Sequence, residues 1–245
     1  MQIYSYSQIG TFHTNHNEDF FIKTTLTDYH ILIVVLDGCS MGTESHFASV
    51  LIGKLLRKIS KFIYYQSFIK STFYNNKQLL INVLKQLFQQ LSFIKNELNL
   101  ETNELLSTLI LGIINLNNQT AEIVTIGDGL IVCDGQSFEY EQDNQPDYLA
   151  YHLHENFENW FDNQKQLLSL QHIRDISFST DGIFTFQPFN NKTYPTISEQ
   201  TIIQQLLVSQ QYSDYETMLK KQVITIEKEF GLKASDDLTI VRIIF

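Results

Sequence analysis

Cysteine is almost missing from this chain: 245 residues include two, Cys39 and Cys133. They lie in separate apolar, strand-like contexts without metal-ligand spacing. That excludes a disulfide framework and points to two buried thiols in a reducing compartment. Basic residues are scarce too. Seventeen Lys and Arg stand against 27 Asp and Glu, a formal net charge of −10. No basic stripe is visible, which argues against a broad nucleic-acid surface. No apolar run reaches the ~18 residues of a membrane span. Met1-Gln2-Ile3-Tyr4-Ser5-Tyr6 has neither a basic start nor a long apolar stretch, so it does not read as a signal peptide. A Pro- or Ser-rich linker, an internal repeat and a long charge block are lacking as well. The expectation is one domain over residues 1–245, cytoplasmic and monomeric, with neither nucleic acid nor membrane as partner.

What is present can build a substantial core, since 43% of residues are hydrophobic and 13% aromatic. Ile3 to Ser7 alternates as a strand does, Phe20–Thr24 is a short strand-like run, and His30–Leu36 is a continuous apolar stretch suited to burial on both faces. The period then changes. Phe47, Leu51, Leu55 and Ile59 recur at helical spacing, after Thr43 or Ser45 as a cap. Leu80, Leu84, Leu87, Leu91, Ile94 and Leu98 form a second helical stripe, read as packing against a sheet rather than as a coiled coil. Strands resume over 107–115 and 119–126 around an Asn117-Asn118 hairpin, and again over 130–133, 175–179 and 239–245. Two helices are expected after Pro195, the second with a Ser213/Glu216 capping box and a stop at Gly231. Strands joined by hairpins and separated by helix pairs indicate α+β architecture.

Four acidic turns, each at the end of an apolar run, carry the chemistry: Asn17-Glu18-Asp19, Asp37-Gly38, Thr180-Asp181-Gly182 and Ser235-Asp236-Asp237. A carboxylate beside Gly is an ordinary turn residue. Four such turns with few cations nearby read as parts of one hard-metal site assembled by folding. An Asp/Glu cluster without nearby Cys or usable His favours Mg²⁺ or Mn²⁺ over zinc, and a pair of such ions can activate water for displacement at phosphorus. Gly127-Asp128-Gly129 is weaker, because a tight turn favours that sequence anyway. Asp134-Gly135 reads as a plain hairpin turn.

In this order the motifs resemble the metal-dependent serine/threonine phosphatases of the protein phosphatase 2C type, particularly their compact bacterial branch. The matching stretches are Ile9-Gly10 through Asn17-Glu18-Asp19-Phe20, Val34-Val35-Leu36-Asp37-Gly38, Ser107-Thr108-Leu109, Ile126-Gly127-Asp128-Gly129, Phe178-Ser179-Thr180-Asp181-Gly182-Ile183 and Asp236-Asp237-Leu238-Thr239-Ile240-Val241. The resemblance implies an antiparallel β-sandwich flanked by helices on both sides, α-β-β-α, with two Mn²⁺ or Mg²⁺ ions at one end and a third, looser one. Asp37 would bridge the two metals, Glu18 and the Gly38 carbonyl would serve one of them, and Asp181 and Asp236 the other. Asp128 stands where the family associates an Asp with the third ion, and Asp19 would orient metal-bound water. The implied substrate is a phosphorylated protein, with a cognate Ser/Thr kinase or its targets as partners.

Three departures stand out. The Arg that many members place before the Glu-Asp pair is absent from Thr11-Phe12-His13-Thr14-Asn15-His16, which leaves His13 to take part of its phosphate-holding role. Cys39 follows Asp37-Gly38 where some members have His, and Asp237 falls where the family more often has Asn. The leading expectation is hydrolysis of phosphoserine and phosphothreonine without a phosphoenzyme. A non-catalytic phosphatase-like regulator is the alternative, and a small-molecule phosphohydrolase a third reading.

Overall fold

The computed structural model describes residues 1–43, 45–70, 75–140 and 146–245. Along them run strands β1 (Gln2–Gln8), β2 (Phe20–Thr25) and β3 (His30–Leu36), then helices α1 (Ser45–Lys70) and α2 (Asn76–Glu97). Strands β4 (Leu109–Asn115), β5 (Thr120–Ile126), β6 (Gly129–Cys133) and β7 (Gln136–Tyr140) follow, then helix α3 (Phe157–Asp162). Next come strands β8 (Leu167–Leu170), β9 (Asp175–Ser179) and β10 (Phe186–Pro188), and helices α4 (Glu199–Leu207) and α5 (Met218–Phe230). Strands β11 (Leu232–Ala234) and β12 (Leu238–Ile244) complete the order.

Two five-stranded sheets form, ordered β1-β12-β9-β6-β7 and β2-β3-β4-β5-β8, with every pair antiparallel; β10 and β11 make a small ribbon. The period-2 geometry of β3 explains why all of its residues are buried. Ile31, Ile33 and Val35 point into the space between the sheets, against Ile131, Ile176, Phe178, Val241 and Ile243. Leu32, Val34 and Leu36 point the other way, into a cluster with Ile52, Leu56 and Ile59 of α1 and Val83, Leu84 and Leu87 of α2. On the far side Leu130, Val132, Leu238 and Ile240 pack with Ile203, Leu206, Leu219 and Val223 of α4 and α5. The result is the expected α-β-β-α sandwich. Each fully buried aliphatic side chain contributes about 1.5–3 kcal/mol.

Several local expectations change. The Ser213/Glu216 box does not form: α5 starts at Met218 without a side-chain cap, and the Ser213 carbonyl instead accepts the Tyr4 hydroxyl at 2.5 Å. Reciprocal capping occurs at α2, where Asn75 Oδ1 accepts the Gln78 N–H at 2.7 Å and Gln78 Oε1 accepts the Asn75 N–H. Leu98 lies past the end of α2 and is exposed. The hydroxyl of Ser45 is drawn to Glu18 rather than to its own helix; the residue preceding Ser45 lies outside the described residues, as do 142–145 of the stretch Gln142–Leu170, the least readable part of the sequence. Gly231 ends α5 as expected, in the left-handed conformation at φ 63°. Among the described residues no helix is long and apolar enough to cross a membrane.

Candidate metal centre

Antiparallel register gathers the acidic turns. Phe20 pairs with Leu36 at the ends of β2 and β3, so Asp19 and Asp37 are the next residues beyond that pair. Ser179, the last residue of β9, lies between Leu130 and Ile240. Asp181, Asp128 and Asp236 therefore leave the other sheet at one end. The Oγ1 of Thr180 joins the two sheets there by donating to Asp19 Oδ2 at 2.8 Å, while it accepts the Thr239 N–H at 3.0 Å.

Asp237 organises the loop that carries Glu18. Its side chain is 1% exposed; Oδ1 accepts the Gly10 N–H at 2.7 Å and Oδ2 accepts the Glu18 N–H. His13 lies against the same group, with Nδ1 2.9 Å from Asp237 Oδ2 and Nε2 3.6 Å from Asp236 Oδ1. Two of the sequence departures thus meet in space, the missing Arg and the Asp in place of Asn. One ligand atom from each of His13, Asp236 and Asp237 lies within 4.8 Å of the others.

Glu18 ties this loop to α1. Its carboxylate accepts the hydroxyls of Ser40 (2.7 Å) and Ser45, and its carbonyl accepts the Ser49 hydroxyl (2.6 Å) and the Gly38 N–H (3.1 Å). Gly38 must be glycine because a Cβ there would stand 2.1 Å from the Ser45 carbonyl oxygen.

The electrostatics are those of crowded, desolvated acids. Burial pushes Asp37 well above the carboxylate range, and the charges of Asp19, Asp181 and Asp236 push it further. Asp19 is raised to about 8, by burial first and then by Asp237 and Asp181, against the lowering influence of its Thr180 and Thr239 hydrogen bonds. Asp181 rises to about 7 through burial and its neighbours Asp128 and Asp236. Asp236 is raised by burial as well. For His13, burial alone would lower the pKa, but the adjacent Asp237 carboxylate and the charges of Asp236 and Glu18 outweigh it, so the pKa is raised.

This donor set fits a hard divalent cation. Asp19 Oδ1 and Asp181 Oδ1 are buried acceptors without a hydrogen-bond partner among the described residues, and cations would offset the repulsion. Beside Asp128 and Asp181 lies a cavity of about 360 Å³, also lined by Glu139, Tyr140, Phe184, Thr185 and Glu199.

Among the described residues no Arg forms an ion pair with these acids. Arg242 is fully buried and forks onto Asp175, at the opposite end of β9, with Arg174 beside Asp134. Arg57 lies over the Phe20 ring at 5.0 Å. His46 stacks on His16 at 4.3 Å rather than joining the acids. Tyr148, Trp160 and Phe161 are core residues, as aromatics usually are. Thr180, Ser40, Ser45 and the loop-holding role of Asp237 were missed in the sequence. Their only signal was adjacency to the acidic motifs.

Two antiparallel sheets between helical layers carry an oxygen-rich acidic site at one end. The sequence profile of the family described as Protein phosphatase 2C matches residues 10–223, and the chain belongs to that family of protein serine/threonine phosphatases. No curated protein matches the sequence. Among solved structures, a mutant of a bacterial serine phosphatase is similar at TM-score 0.65 and 14% identity, covering 100% of this chain and 98% of its own. The catalytic domain of the serine/threonine protein phosphatase PstP, in complex with two manganese ions, is similar at TM-score 0.61 and 16% identity, with 98% and 96% covered. PppA, a regulatory component of the T6SS in Pseudomonas aeruginosa, is similar at TM-score 0.58 and 19% identity, with 100% and 97% covered.

Proposed function

We propose that this chain hydrolyses phosphoserine and phosphothreonine in proteins with two Mn²⁺ or Mg²⁺ ions, acting as one cytoplasmic, monomeric domain on the targets of a Ser/Thr kinase. The observation that carries the proposal is the convergence of buried carboxylates, two with unpartnered oxygens, from turns far apart in the chain. Asp37, Glu18, the Gly38 carbonyl, Asp181 and Asp236 would hold the ions, Asp37 being shared between them. Asp128 is assigned to a third, looser ion. When bound, such ions supply an acidified water and neutralise charge at the phosphoryl group.

The remaining groups position and shuttle protons. Asp19, fixed by the Thr180 hydroxyl, orients the attacking water and can take its proton at Oδ1, the oxygen that no donor occupies. His13, whose pKa the neighbouring Asp237 and Asp236 raise, is placed to offset the charge of the incoming phosphate in place of an Arg. Asp237 holds the 10–18 loop so that Glu18 and His13 face the same space.

The test is hydrolysis of a phosphothreonine peptide with and without Mn²⁺, by the intact chain and by Asp37→Asn and Asp181→Asn. Metal-dependent turnover is expected in the intact chain and in neither variant. The regulator reading is favoured by one observation, that both His13 nitrogens are turned to carboxylates. Tight Mn²⁺ binding by calorimetry without turnover of phosphopeptide, nucleotide or aryl phosphate would establish that reading instead.

A further inference from the structure

Helix α1 holds five basic residues, Lys54, Arg57, Lys58, Lys61 and Lys70, and no acidic one, in a chain of net charge −10. Its inner face, with Ile52, Leu55, Leu56, Ile59 and Ile63, is buried in the core. The outer face follows the same helical period and is exposed throughout: Lys54, Arg57, Lys58 and Lys61, then Phe62, Tyr65, Phe68 and Ile69. The last four are 52%, 65%, 77% and 79% exposed. Among the described residues no ion pair engages Lys54, Lys58 or Lys61. Single exposed apolar residues are normal, but four in line with four cations form a patch. The sequence showed no basic stripe because buried residues separate these cations; helical winding brings them onto one face.

The position of the stripe identifies its occupant. Ser45, at the start of α1, touches Glu18 and Gly38 in the candidate metal centre. At 1.5 Å per residue, Lys54 lies about 14 Å along the helix from there and Ile69 about 36 Å. We infer that this face docks the phosphoprotein itself, through an acidic stretch followed by apolar residues; the inference rests on the phosphatase reading. Charge complementarity argues for the acidic stretch, because a cationic row that no carboxylate engages among the described residues, on an acidic molecule, selects carboxylates. Phe62, Tyr65 and Ile69, at i, i+3 and i+7, are spaced as anchors for a partner helix or groove. An anionic membrane suits the stripe less well. Cations and apolar groups follow one another along the axis instead of flanking each other, so a helix lying flat in the interface would bury only one half.

Two fluorescent peptides without phosphate test the docking directly: a Glu-rich segment followed by Leu and Phe, and the same peptide with Lys for Glu. By anisotropy with the full chain, the acidic peptide should bind about tenfold more tightly or better, and lose affinity in salt. K54E/K58E/K61E and F62S/Y65S/I69S should each lose about tenfold of that affinity while melting at the intact temperature. Joined to a phosphothreonine peptide, the acidic segment should lower KM for the intact chain but for neither variant, with kcat unchanged. Equal binding of the two peptides, or binding unchanged in both variants, overturns the inference. So does adsorption to phosphatidylserine vesicles without preference between the peptides, which would assign the face to a membrane. Selective binding by a protein that turns over no phosphopeptide supports the docking face and overturns the phosphatase reading instead.

Discussion

Asp237 serves two backbone N–H groups and one imidazole with a single buried carboxylate, so its substitution separates structural from electrostatic roles. Asp237→Asn keeps the shape, but its amide cannot accept from both N–H groups. We expect a loss of about 1–3 kcal/mol in chemical denaturation. The pKa of His13, followed by NMR, should fall, because burial would then act with less opposition. Thr180 is a different case, since its hydroxyl fixes Asp19 without belonging to the acidic set. Thr180→Val should keep the fold and weaken Mn²⁺ binding about 10–100-fold by calorimetry, the usual scale for a residue that orients a metal site. These roles could not be read from the sequence. Thr180 and Asp19 are 161 residues apart, and nothing local to either one announces the other.

At the scale of elements, legibility followed how much each segment is decided by its own residues. His30–Leu36 was read to the residue because an unbroken apolar run has few alternatives to a strand covered on both faces. The stop of α5 at Gly231 was equally local. The Ser213/Glu216 box failed because a capping motif is short and common, and here Ser213 lies in a turn whose carbonyl serves Tyr4 of β1. The acidic turns were legible through their order, but their meeting place required the sheet register. The junction of α1 with the Asp37-Gly38 turn is a close contact of this kind. Gly38→Ala must displace the first turn of α1 and with it the Ser45 hydroxyl on Glu18. A destabilisation of about 1–3 kcal/mol by thermal or urea unfolding is expected, together with weaker Mn²⁺ binding, whereas an alanine at exposed Gly135, with nothing near its Cβ, should leave metal binding unchanged.

The molecule as a whole balances crowded carboxylates against whatever cation it holds, and this makes its stability depend on pH in a definable direction. Asp19 and Asp181 have folded-state pKa values raised to about 8 and about 7. Between the ordinary carboxylate range and those values, the folded chain binds more protons than the unfolded one. Stability in EDTA should therefore fall as pH rises from about 4 through 8. Melting curves at pH 6 and pH 9 should show the lower Tm at pH 9, and saturating Mn²⁺ should raise Tm more at pH 9 than at pH 6; a flat or inverted EDTA profile would contradict the ionisation scheme. The same architecture has a consequence for synthesis. Strand β12 lies between β1 and β9, and the Asp236-Asp237 turn that precedes it binds the 10–18 loop. A nascent chain still lacking β12 leaves β1 without its neighbour and Glu18 without its anchor. The acidic end can thus assemble only when residues 238–244 have cleared the ribosome, and a chain cut off before them should fail to gather its carboxylates.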